Sequence, residues 1–152
     1  MNYEAKLVEL GWTLPPPPTP GGSYVPSVQV GNLLFLSGVL CMADGKLTHQ
    51  GKVGETQTIE TARRGAEICA VNLLAAIKGA LGSLDRIERI VTVSGYVNGV
   101  SSFADAPAVI NGASELFMAV LGDAGKHARA AVTVACLPRD STVEVQAVVQ
   151  VK

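Results

Sequence analysis

In the C-terminal stretch, Val143, Val145, Ala147, Val149 and Val151 occupy every second position. A strand turns successive side chains to opposite faces, so this period reads as a strand with one face against a core. Such a strand needs a sheet partner and another layer over its apolar face. The rest of the chain has to provide them.

The periodicities upstream do so. Val28 to Gly38 carries two short apolar pieces around Gly31-Asn32, a pair suited to a β-hairpin turn. From Thr58 to Ala80, Ile59, Ala62, Ala66, Cys69, Leu73, Ile77 and Ala80 recur at helical spacing, which predicts an amphipathic helix ending near Gly79 or Gly82. Ile87 to Asn98 is rich in β-branched residues and reads as a long strand, with Val91, Val93 and Val97 expected on one pleat face across Gly95. A second helix is expected from near Asp105, with Pro107 in its first turn, a stripe of Val109, Ile110, Ala113, Leu116, Phe117 and Val120, and a stop at Gly122. After the turn Gly125 to His127 comes a strand marked by Val132 and Val134, and Leu137 to Ser141 link it to the last one.

The predicted order is ββαβαββ, an α/β (α+β) arrangement with a mixed sheet and two helices on one face. It follows a short helix over residues 3 to 10. Pro15 to Pro18 impose an extended conformation that no helix continues, so residues 1–22 are expected to be an outlying arm and residues 23–152 the domain proper. Two helices leave the second sheet face bare. The chain is 48% hydrophobic and 16% charged, against about 25% charged for ordinary soluble domains, and a second copy packed on that face is the expected cover.

Composition also excludes partners. The formal net charge is -1, with cations scattered along the chain, so nucleic acid is not expected. Cys41, Cys69 and Cys136 are odd in number and form no C-x-x-C pair, which fits free thiols in a reducing cytoplasm and predicts no metal site. Residues 1–10 lack the apolar run of a signal peptide, and no stretch is expected to enter a membrane. Nucleophile-elbow, P-loop, dinucleotide and zinc-protease motifs are all missing.

The remaining candidates cluster near the C-terminus. Arg129 opens a strand, and its planar fork suits a small carboxylate; an ion pair at the sheet edge fits the spacing equally well. Glu144 is expected on the face opposite the valines with Thr142 and Gln146, either relaying a proton or simply exposed. His127, two residues before Arg129, reads as an acid-base group or as a solvated turn histidine. Tyr24, following Gly21-Gly22-Ser23, and Asn111 in the second helix are polar among small or apolar neighbours.

Ala128-Arg129, Val132, Val134, Leu137-Pro138 and Val143-Glu144 resemble the C-terminal signature of the RidA/YjgF family, the reactive intermediate deaminases also called L-PSP or perchloric-acid-soluble proteins. Ser23-Tyr24, Gly31-Asn32, Ser37-Gly38, Gln57-Thr58, Phe103 and Asn111 agree, so the similarity runs from Tyr24 onward. It implies a chorismate-mutase-like fold and a homotrimer whose sheets form a central β-barrel with a cleft at each interface. It further implies that Arg129 binds the substrate carboxylate, Tyr24 closes over the ligand from the neighbouring chain and Glu144 positions water. Gly38, Asn111 and Ala131 would complete the cleft. The implied reaction turns 2-imino acids or enamines into 2-keto acids and ammonia without a cofactor. Ala131 stands where the family often has cysteine and His127 where it often has proline. A carboxylate-binding trimer without turnover is the alternative; a ribonuclease or translation inhibitor finds no support in charge or aromatic content.

Overall fold

The C-terminal alternation becomes the strand around which the sheet is built. In a computed structural model describing residues 2–152, the elements run α1 (Tyr3–Glu9), β1 (Ser27–Val30), β2 (Leu33–Leu36), the two-residue strands β3 (Val39–Leu40), β4 (Met42–Ala43) and β5 (Lys46–Leu47), α2 (Ile59–Leu81), β6 (Ile87–Asn98), α3 (Ala106–Leu121), β7 (Ala128–Val134) and β8 (Val143–Val151). The main sheet has the order β1-β2-β8-β6-β7, with β3 also against β8. Among the strands of the described residues, only β6 and β7 pair in parallel, as expected for strands joined through a helix. The ββαβαββ order is present, with three short strands added after the hairpin.

The helix α2 lies where its caps place it. Thr58 accepts from the Thr61 amide at 3.2 Å while the Thr61 hydroxyl accepts from the Thr58 amide at 3.0 Å, closing the N-terminus of α2. Gly82, at φ +83°, ends it in the left-handed conformation that a side chain disfavours. Gly79 stays inside the helix, and its bareness makes room for Pro17. Gly112 of α3 lies directly against the Arg63 carbonyl of α2, so the two helices approach as closely as their backbones allow.

The helices cover one sheet face. Val143, Val145, Ala147, Val149 and Val151 of β8, Val93 and Val97 of β6, and Leu34 and Leu36 of β2 are buried beneath them. Val91 departs from the expected face: the β6 register against β8 slips between Ile87 and Arg89 and again between Ile90 and Thr92. Each irregularity shifts the alternation, so Ile87 and Ile90 point into the core and Val91 is exposed.

The N-terminal segment is not an outlying connector. Tyr3 and Leu7 belong to the core, and Trp12 and Leu14 pack against it. The Glu4 carboxylate accepts from the Leu84 amide at 2.9 Å, and the Tyr3 amide donates to Asp85 at 2.9 Å. Beyond α1, the Arg64 guanidinium stacks over the Trp12 ring at 4.2 Å.

Among the described residues, no helix covers the opposite sheet face. Val28, Phe35 and Val132 stand there 52%, 44% and 47% exposed, which leaves an apolar surface spanning β1, β2 and β7. Cys41 and Cys69 are buried and Cys136 exposed, all as free thiols. Among the described residues, no helix is long and apolar enough to cross a membrane.

Candidate functional site

Parallel pairing sets Arg129, Ala131 and Thr133 beside Val93, Gly95 and Val97, so these three β7 residues stand on the helix side of the sheet. Arg129 lies at the open margin of that side. Its Nη1 donates to Asn111 Oδ1 at 2.8 Å and Ser114 Oγ at 3.1 Å, both on α3. Neither acceptor is charged, and among the described residues no carboxylate pairs with Arg129. The guanidinium is thus aimed but not neutralised.

His127 continues this chain of contacts. Its Nδ1 lies 2.6 Å from the Gly125 carbonyl, which can only accept, so Nδ1 carries the proton of the neutral ring. Nε2 then accepts from the Ser114 hydroxyl at 2.9 Å, leaving the Ser114 lone pairs for Arg129. The ring also meets Phe117 edge-on, with centroids 6.0 Å apart. Burial, then the charge of Arg129, lowers the His127 pKa against the opposing pull of the Gly125 carbonyl. It is a half-buried, neutral histidine rather than a solvated turn residue.

Glu144, on β8, pairs with Leu40 of β3 and Tyr96 of β6, and its side chain stands on the open face of the sheet. It is half-buried, and burial raises its pKa. A Cβ on Gly38 would sit 2.7 Å from Glu144 Oε1, so the carboxylate rests against the bare backbone there and would have to swing aside for any side chain. Thr142, expected beside Glu144, is fully buried instead, and its hydroxyl donates to the Gly51 carbonyl at 2.9 Å. The alternation begins only at Val143.

Glu144, Gly38 and Tyr24 line an open cavity of about 990 Å³. Tyr24 is 51% exposed, and its hydroxyl accepts from the Gly21 amide at 3.0 Å. Pro15, Pro16 and Pro18 form another wall, so the proline arm is part of this cavity. Asn72, which binds the Leu40 and Met42 carbonyls from α2, and Arg139 also line it.

The expected residues therefore form two groups. Arg129, Asn111 and Ala131 lie on the helix side at the β7 edge; Glu144, Gly38 and Tyr24 lie around the open face and the arm. The sheet separates them within one chain. Ser114 and Arg139 went unforeseen. Ser114 follows Asn111 by three residues on one helix face, a spacing that could have revealed it.

A family model described as "YjgF/chorismate_mutase-like, putative endoribonuclease" matches residues 4–151. The chain belongs to this YjgF family. The match begins inside α1, so the YjgF similarity takes in the arm as well as the residues from Tyr24 onward. Protein TCP17 of Trypanosoma cruzi is 39% identical over 147 residues, covering 96% of this chain and 92% of that protein. The crystal structure of Atu1372 from Agrobacterium tumefaciens, a protein of unknown function, is 46% identical with a TM-score of 0.93, covering 99% and 92% of the two chains. RidA from Psychrobacter sp. PAMC 21119 is 29% identical with a TM-score of 0.62, covering 89% and 94%. The YjgF relationship gives the fold its name: chorismate-mutase-like, a mixed α+β sheet with helices on one side.

Proposed function

We propose that the protein hydrolyses 2-imino acids, or their enamine tautomers, to 2-keto acids and ammonia in a cleft formed between copies of a homotrimer. One observation carries this reading: an exposed arginine held by two neutral acceptors and left without an acid of its own. A guanidinium prepared in this way is suited to a ligand carboxylate, which it grips through two parallel charged hydrogen bonds. The likeness to a protein named RidA supports the choice of chemistry.

The opposite-face placement supports the assembly. A second copy laid on the apolar open face can bring its β7 edge, with Arg129, toward the Glu144 of the first. Arg129 then fixes the substrate carboxylate, and C2 of the protonated imine lies open to water. Glu144, made more basic by burial, takes a proton from the water as its oxygen bonds to C2. It returns that proton to the amine nitrogen, and as the C–N bond breaks it takes the remaining hydroxyl proton, which it then passes to solvent. Ammonia leaves, and the oxygen remains as the keto group. Tyr24, on its diglycine segment, closes the cleft, and backbone groups at Gly38 and Ala131 line it beside Asn111.

The test is ammonia release from freshly generated 2-iminobutanoate and 2-iminopropanoate by the wild type and by Arg129→Ala. The wild type should accelerate release, and the variant should lose about tenfold to hundredfold in kcat/KM, the worth of a charged hydrogen-bonded pair. No acceleration by the wild type would overturn the reading. Ligand-induced stabilisation without ammonia release would assign the cleft to binding alone.

A further inference from the structure

The cavity around Glu144 is far larger than a three- or four-carbon imino acid fills: about 990 Å³ approaches the upper range of sites for drug-sized ligands. Its walls are unlike one another. Pro15, Pro16 and Pro18 offer a rigid apolar side along which methylene groups can lie. Arg139 is the one cation among the lining residues, which also include Glu144.

Arg139 is held in place by its backbone. It and Asp140 both adopt left-handed conformations, at φ 57° and 61°, which non-glycine residues keep only where the surroundings enforce them. Gln50 Nε2 donates to the Arg139 carbonyl at 3.1 Å, the Gly51 amide to the Asp140 carbonyl at 2.8 Å, and Asn98 Nδ2 to the Asp140 carboxylate at 2.9 Å. The side chain itself has little to satisfy it. Its Nη1 reaches only Met42 Sδ, a weak acceptor, at 3.7 Å, and it makes no ion pair among the described residues. Asp44 shares the wall but lies outside pairing distance, so this half of the cleft carries two carboxylates and one unpaired guanidinium.

We propose that Arg139 binds a second acidic group at the far end of the substrate side chain, so that the preferred substrates are imines of dicarboxylic amino acids. The inference rests on the imine-hydrolase reading: Arg129 of one copy takes the carboxylate beside the reacting carbon, and Arg139 of the other takes the distal one. Asp44 and Glu144 make the wall unfavourable for an anion at any place except beside Arg139. The site therefore selects the charge at the distal end.

The experiment is calorimetric binding of 2-oxoglutarate and 2-oxobutanoate, product-like keto acids with and without the distal carboxylate, to the full chain. The wild type should prefer 2-oxoglutarate by about tenfold or more, as expected of one charge-assisted contact. Arg139→Gln should bring that ratio close to one, and Arg139→Glu should invert it. The ratio is measured within each variant, so a general loss of folded protein does not imitate the effect. A wild-type ratio near one, or a ratio unmoved by either substitution, overturns the inference while leaving the Arg129 reading intact. Dependence on Arg139 with indifference to Arg129→Ala keeps the distal site and sinks the imine-hydrolase reading. Binding of neither keto acid overturns both.

Discussion

Ser114 accepts from Arg129 at 3.1 Å and donates to His127 at 2.9 Å, so the direction of the clamp depends on the histidine staying neutral. The pH dependence follows from this. The unfolded chain takes a proton on His127 near pH 6.5, the folded chain only at lower pH. As pH falls through 6.5 the unfolded state binds the proton first, and stability drops until the folded pKa is also passed. Glu144 acts with the opposite sign: its pKa is raised above 4.5 in the fold, so the folded state protonates first and gains stability as pH falls through that range. Between about pH 7.5 and pH 5.5 the histidine dominates. The Tm of the wild type should therefore fall more steeply over this interval than that of His127→Gln, and parallel curves would count against the neutral-histidine assignment. Little of this environment was readable in the sequence. Arg129, Asn111 and Glu144 stand in recognisable motifs, but the Gly125 carbonyl and the Phe117 ring reach His127 only through the turn after α3.

Among the elements, the α2–α3 contact has the narrowest tolerance. A methyl on Gly112 would collide with the Arg63 backbone, which cannot swing aside as a side chain can. Gly112→Ala should cost about 1–3 kcal/mol, read as a lower urea midpoint with an unchanged m-value. An unchanged midpoint would mean the helices have slack between them. The boundaries of α2 and β6 were legible because caps and β-branched runs are local signals: Thr58 and Gly82 close the helix, and Ile87 to Asn98 form the strand. The face of Val91 was not, because the register slips that turn it outward arise from pairing with β8, more than fifty positions along the chain. The same limit applies to Tyr3 and Leu7. Their burial depends on Leu84 and Asp85, which only the folded chain brings near.

At the scale of the whole molecule, Arg129 and Glu144 belong to opposite faces of one sheet. If clamp and base meet only between copies, two crippled variants should repair one another. Arg129→Ala and Glu144→Gln, unfolded together in equal amounts and refolded, should recover about a quarter of wild-type ammonia release, since half of the copies supply each intact residue. Separately refolded and then mixed without exchange, they should remain inactive. No recovery in the co-refolded sample would mean that each site draws both residues from the same chain. The apolar open face was legible from counting helices against sheet faces, whereas the division of the site was not: the side on which Arg129 stands is fixed by its register beside Val93. That register has a further effect on how the protein behaves in solution. β7 is the last strand of the sheet, so its outer row of amides and carbonyls has no strand neighbour among the described residues. Such a row can capture strands from other molecules, and natural proteins discourage this with charge. From Ala128 to Cys136 the only charged side chain is Arg129. The residue that would hold the ligand is thus also the gatekeeper against aggregation, and replacing it by alanine removes both services at once. Arg129→Lys keeps the charge and loses the fork, which makes it the variant that separates failed chemistry from failed solubility.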